Sequence, residues 1–113
     1  TRRLLDAVSQ CDWETYQALS SEDLTCFEPE TVGHLVEGLE FHRYYFDPSR
    51  RKGPRADTVV APHVRMLGGH AAVVCYTRLV QHDGETSSFQ ETRVWARTEG
   101  GWKHVHFHRS RQR

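Results

Sequence analysis

Ser87 to Ser110, SSFQETRVWARTEGGWKHVHFHRS, reads as two strands joined at Glu99-Gly100, a turn-forming pair of the Asp-Gly type. In the first strand Phe89, Glu91, Arg93, Trp95 and Arg97 alternate with Gln90, Thr92, Val94, Ala96 and Thr98. In the second, Trp102, His104, His106 and His108 alternate with Lys103, Val105, Phe107 and Arg109. A half-solvated antiparallel sheet has one apolar and one polar face. Here Trp95 and Trp102 fall in one set, and Val94, Val105 and Phe107 in the other. Burying each large side chain stabilises by about 1.5–3 kcal/mol, so both faces are expected to be covered. In a chain this short, a second copy is the simplest cover for the second face.

Working outward, the strands continue upstream. Thr58 to Leu67 and Ala71 to His82 read as strands, with turns at Gly68-Gly69 and Asp83-Gly84. Asp47 to Asp57, DPSRRKGPRAD, is a polar basic stretch predicted to be a solvated loop. Before it, Leu4, Leu5, Val8, Cys11, Trp13, Tyr16 and Leu19 recur at helical spacing. Cys11-Asp12 is predicted to break that helix in two, with Asp12 capping the second part. Leu24 to Glu28 is extended, and Pro29 opens a second predicted helix that runs through Glu40 and on towards Phe46. Helices followed by a run of antiparallel strands define an α+β layout.

A chain of 113 residues makes one domain with a modest core, residues 1–113 forming a single unit. Lys plus Arg and Asp plus Glu number 15 each, a zero net charge that argues against nucleic-acid binding and suits self-association. Cys11, Cys26 and Cys75 are odd in number and widely spaced, as expected of reduced thiols in an intracellular, cytoplasmic protein. No apolar run is long enough to span a membrane. The chain opens at Thr1 without an initiator methionine and reads as a piece of a longer protein.

Three arginines lie inside strands: Arg78, Arg93 and Arg109. A two-residue turn at Asp83-Gly84 puts Tyr76 and Arg78 on the face of Glu91 and Arg93. Covered by helices, that face becomes a partly buried, electropositive hollow, in which Glu91 or Glu28 neutralises part of the charge. A surplus guanidinium there favours a bidentate carboxylate ligand. An ideal turn at Glu99-Gly100 places Arg93 and Arg109 on opposite faces, so their convergence requires a three-residue turn or a bulge in the last strand. His104, His106 and His108 share one strand face, but no nearby cysteine or carboxylate completes a zinc set, so neither metal nor cofactor is expected. Nucleophile-elbow, phosphate-loop and kinase motifs are absent. An enzymatic alternative, a small isomerase or dehydratase, would draw on Glu28, Glu91, Tyr16 or Tyr76. An arginine-rich hollow makes such carboxylates poor bases near neutral pH.

FEPETVGHLVEGLEFHRYYF (27–46), APHVRMLGGHAAVVCYTRL (61–79) and ETRVWARTEGGWKHVHFHRS (91–110) resemble the association (hub) domain of calcium/calmodulin-dependent protein kinase II. The resemblance covers nearly the whole chain. It implies a curved antiparallel sheet wrapped around a long helix, the cystatin-like cone of nuclear transport factor 2 and ketosteroid isomerase. It implies a noncatalytic domain whose partner is itself, closing into two stacked rings, commonly dodecamers or tetradecamers, that hold tethered kinase domains. It also implies a pocket for small carboxylates or a carboxylate-bearing peptide, lined by Arg78, Arg93 and Arg109 with Tyr16 and His42 near its mouth and Glu91 beside them. The stretch after Phe46 is shorter than in some animal members and lacks their tryptophan, and the Gln81 to Gln90 connection is shorter too.

Overall fold

The structure, a computed structural model, describes residues 1–47 and 55–112. Two short helices, α1 (Arg2–Ser9) and α2 (Trp13–Leu19), lead into β1 (Ser20–Phe27). The helix break falls where the sequence places it. Cys11 turns the chain at φ 55°, and the Asp12 carboxylate accepts from the Thr15 amide at 3.1 Å and the Thr15 hydroxyl at 2.6 Å. A cap of this kind stabilises by about 1 kcal/mol.

The second expected helix does not form. Pro29–Thr31 makes one 3-10 turn, Val36–Glu37 forms the short strand β2, and Glu40–Phe46 is a second 3-10 segment. Val32, Gly33 and Gly38 all have positive φ, at 51°, 85° and 99°. Each glycine disfavours an α-helix by about 1 kcal/mol relative to alanine, and helical spacing alone cannot outweigh two of them plus β-branched residues. A helix would carry Val32 and Leu39 on one apolar stripe, yet Val32 is 82% exposed, while Leu39 is buried.

Four long strands follow: β3 (Arg55–Met66), β4 (Ala71–His82), β5 (Glu85–Thr98) and β6 (Gly101–Gln112). Strand β3 begins three residues earlier than the sequence suggests, so Arg55 to Asp57 belong to the sheet rather than to a solvated loop. Residues 48–54 of that predicted loop lie outside the described residues. The sheet order is β2-β1-β6-β5-β4-β3. Neighbouring strands are antiparallel except β1 and β6, which run parallel because the chain passes through both edges of the sheet between them. The fold is thus an α+β cone in which the sheet curves around two short helices, eight and seven residues long, as the predicted break at Cys11-Asp12 requires, in place of the one long helix that the family resemblance implies.

Register decides which side chains meet. Asp83-Gly84 is a two-residue turn with both φ values positive, so Tyr76 pairs with Glu91 and Val74 with Arg93. Between β5 and β6, Val94 faces His106 but Trp95 faces His104, leaving Val105 as the extra residue of a bulge. That bulge brings Arg109 opposite Glu91 and Phe107 opposite Arg93, the convergence that an ideal hairpin forbids. It also divides the histidine row, contrary to the one-face expectation. His104 is fully buried beside Trp95, whereas His106 and His108 stand on the opposite face. Phe107 likewise moves into the Trp95 set.

Leu4, Ala7, Tyr16, Leu24, Cys26, Leu39, Phe46, Trp95 and Phe107 form the core on the inner, concave side. On the outer side lie Val73, Cys75, Thr77 and Leu79 of β4, Thr92 and Val94 of β5, and Val105, His106 and His108 of β6. None of these outer residues is buried. Val60 of β3, paired with Thr77, extends the outer face and is exposed.

Candidate functional site

The mouth of the cone is a cleft of about 460 Å³. Tyr16, Glu28, Glu30, His42, Arg55, Arg78, Arg93 and Arg109 line it. The strand alternation of β4, β5 and β6 aims the three expected arginines inward, α2 supplies Tyr16, and the second 3-10 segment supplies His42. Glu91 is not at the surface of the cleft. It lies behind the arginines and ties them together.

Arg78 donates to Asp57 Oδ2 at 2.6 and 2.9 Å and to Glu91 Oε2 at 3.0 Å. Arg93 donates to Glu91 Oε1 at 3.0 Å and to Tyr76 Oη at 2.8 Å, and its guanidinium stacks 4.4 Å from the Phe107 ring. Tyr76 Oη in turn donates to Glu91 Oε1 at 2.5 Å. Arg109 reaches Glu30 Oε2 at 2.5 Å and Glu28 Oε1 at 3.4 Å. Arg55 pairs with Asp57 Oδ1 at 2.9 Å.

Among the described residues the hollow therefore holds no surplus positive charge. Asp57, Glu28, Glu30 and Glu91 answer Arg55, Arg78, Arg93 and Arg109 one for one, which burial of charge requires. Burial opposes ionisation of Glu91, but the charges of Arg93 and Arg78 outweigh it and hold its pKa at about 2. Burial likewise opposes ionisation of Glu28, and a hydrogen bond from His42 with the charge of Arg109 brings it to about 2. Burial pushes Tyr16 up to about 12 and carries Tyr76 above its ordinary value. Carboxylates held this far down are weak general bases at neutral pH. His104, 3.3 Å from Arg93 Nη1, is driven well below its usual value by burial and by that guanidinium.

Arg78, Arg93, Arg109, Tyr16, His42 and Glu91 are thus brought together as the sequence suggests. Asp57, Arg55 and Glu30 complete the network and were missed. Asp57 falls in the predicted loop, although the alternation Arg55, Asp57, Val59 continues that of β3. Cys26, expected to be a reduced thiol, lies 3.3 Å from His42 Nε2 and 3.4 Å from Glu28 Oε2. Burial, then the neighbouring Glu28 charge, raises its pKa to about 12.

Fold and cleft together define the class of nuclear transport factor 2-like cones. A protein of that description from Cytophaga hutchinsonii superposes with a TM-score of 0.82 at 22% identity, over 98% of this chain and 91% of its own, a likeness of fold alone. Residues 1–113 match the calcium/calmodulin dependent protein kinase II association domain, and the chain belongs to that family. It is 48% identical, over 99% of its length, to the Caenorhabditis elegans calcium/calmodulin-dependent protein kinase type II, of which it spans 16%. The association domain of the C. elegans kinase superposes with a TM-score of 0.88 at 46% identity, over 96% of this chain and 88% of its own. Association-domain relatives support a self-associating, noncatalytic role. Among the described residues no helix is long and apolar enough to cross a membrane.

Proposed function

We propose that this chain is the hub of a calcium/calmodulin-dependent protein kinase II-type holoenzyme in the cytoplasm, closing into a stacked double ring of the dodecamer or tetradecamer kind. The observation that carries this reading is the outer face of the sheet. Val73, Val94 and Val105, with Val60 and Leu79, lie across four adjacent strands; none is fully buried and Val60 is 40% exposed. A second copy laid over them removes that apolar surface from water, which stabilises by about 25 cal/mol per Å². Kinase domains tethered to such a ring meet at local concentrations on the order of millimolar, enough for one subunit to act on another. Native mass spectrometry tests the assembly: closed rings of many subunits are expected, and a monomer at micromolar concentration refutes the reading.

The same proposal gives the cleft a ligand, a small carboxylate or a carboxylate-bearing peptide end. Because every cleft arginine already has an internal partner, the ligand enters by exchange. The weakest internal competitor is Glu30, whose side chain is 43% exposed and whose loss strands no buried charge. A ligand carboxylate takes its place on Arg109 and faces Arg55 and Arg78. Glu30→Gln is therefore expected to raise affinity for a short dicarboxylate several-fold by calorimetry. Weaker binding in that variant would count against exchange at Arg109.

A further inference from the structure

At the floor of the cleft three unlike side chains converge on one point. Cys26 Sγ lies 3.4 Å from Glu28 Oε2 and 3.3 Å from His42 Nε2, and the last two atoms are 3.4 Å apart. All three residues are buried. With Zn–S about 2.3 Å and Zn–N and Zn–O about 2.0–2.1 Å, a tetrahedral zinc ion sets its ligand atoms about 3.3–3.6 Å apart. The triangle has the dimensions of one face of that tetrahedron before any ion enters.

Protons alone serve this triangle poorly. Three mutual contacts share at most two hydrogens, one on the thiol and one on Nε2. His42 Nδ1 is buried without a hydrogen-bond partner among the described residues, so the polar engagement of the ring runs through Nε2. We propose that Cys26 Sγ, Glu28 Oε2 and His42 Nε2 form a three-ligand site for a zinc-class divalent cation.

The donor set fits that ion. One soft thiolate, one imidazole and one carboxylate select zinc over magnesium or calcium, which want oxygen alone. Thiolate and carboxylate together neutralise a divalent charge. On binding, the Cys26 S–H bond breaks, its proton goes to solvent and the sulfur lone pair goes to the metal, while the His42 ring proton passes from Nε2 to Nδ1 and frees the Nε2 lone pair for the ion. Glu28 uses its other oxygen, Oε1, to hold Arg109 at 3.4 Å, and this outer contact fixes the carboxylate in place. Strand β1 supplies Cys26, Glu28 follows directly after its last residue, and the second 3-10 segment supplies His42. Glu28 and His42 line the cleft with Cys26 behind them, so the fourth vertex opens toward the cleft, where water completes the shell and the ion has its entry path. The site stands independently of the self-association reading.

The test uses the whole chain, stripped of metal by dialysis and titrated with Zn²⁺ against a chromophoric chelator, then with Co²⁺ as a spectroscopic stand-in. One ion per chain and a thiolate-to-cobalt charge-transfer band are expected. Cys26→Ser should remove the band and weaken zinc binding by more than about 100-fold, beyond the 10–100-fold cost of an outer-shell change. A Cys11→Ala/Cys75→Ala chain should keep both. Size-exclusion elution and near-ultraviolet dichroism report whether each variant folds. Should Cys26→Ser not fold, X-ray absorption of the wild-type chain loaded with one equivalent of zinc decides, with one sulfur and otherwise nitrogen or oxygen neighbours expected. A shell without sulfur, a band unchanged in folded Cys26→Ser, or no zinc retained against the chelator overturns the site.

Discussion

The two sides of one sheet are built from alternate residues of the same strands, yet they obey opposite rules. On the inner side each charge has its answer: Arg93 is closed off by Glu91, Tyr76, His104 and the Phe107 ring. On the outer side valines, a leucine and two histidines stand only partly buried or exposed. The inner side is satisfied within one chain, and the outer side is left to another. A substitution on one side should therefore change whether the chain folds, and on the other whether it assembles.

The largest effect should come from the inner side. Glu91→Ala leaves Arg78 and Arg93 buried with one carboxylate fewer. Breaking a buried pair from one end costs about 3–5 kcal/mol, a large part of the roughly 5–15 kcal/mol that holds a domain together. Chemical denaturation should show that loss; a change below about 1 kcal/mol would mean the network is not what closes the inner side. Next comes the outer side. Val94→Lys should leave near-ultraviolet dichroism as it is and cut the assembly to small species by light scattering. A fully assembled variant would show that contacts lie elsewhere on the surface. The third effect is a pH dependence that belongs to the inner side alone. Glu91 has a folded pKa of about 2 against an ordinary value of 4.5. Its folded pKa is the lower one, so its stabilising contribution is complete above about pH 4.5 and is lost as pH falls toward 2. In Glu91→Gln that part of the acid limb should flatten, and an unchanged limb would assign the acid sensitivity to other carboxylates.

How far the sequence could be read follows from the range of the forces involved. The hairpins, the Asp12 cap and the helix break were legible because each is set by neighbours within a few residues. The arginine cluster was legible because strand alternation is strict and two-residue turns fix register. The Val105 bulge was legible only as a condition: convergence of Arg93 and Arg109 demanded an extra residue, and nothing local said where. The helix expected from Pro29 onward failed because an apolar residue every third or fourth position suits a chain of short turns as well as a helix, and the positive φ at Gly33 and Gly38 settles the matter. The parallel pairing of β1 with β6 and the Cys26–Glu28–His42 triangle depend on contacts between distant segments, 16 residues apart for Cys26 and His42, which no local pattern encodes.

The lone supernumerary residue at position 105 gives the last strand a parity. Everything after it, from His106 to Gln112, keeps its side of the sheet only because one position was added to the count. Drawing that valine into the ladder as an ordinary paired residue would leave the composition intact while sending Phe107 and Arg109 out into solvent and His106 and His108 into the cone; deleting it would close the bulge and keep each of them on its present side. The facing of the end of this strand is therefore set by one irregularity of pairing, not by the side chains that follow it.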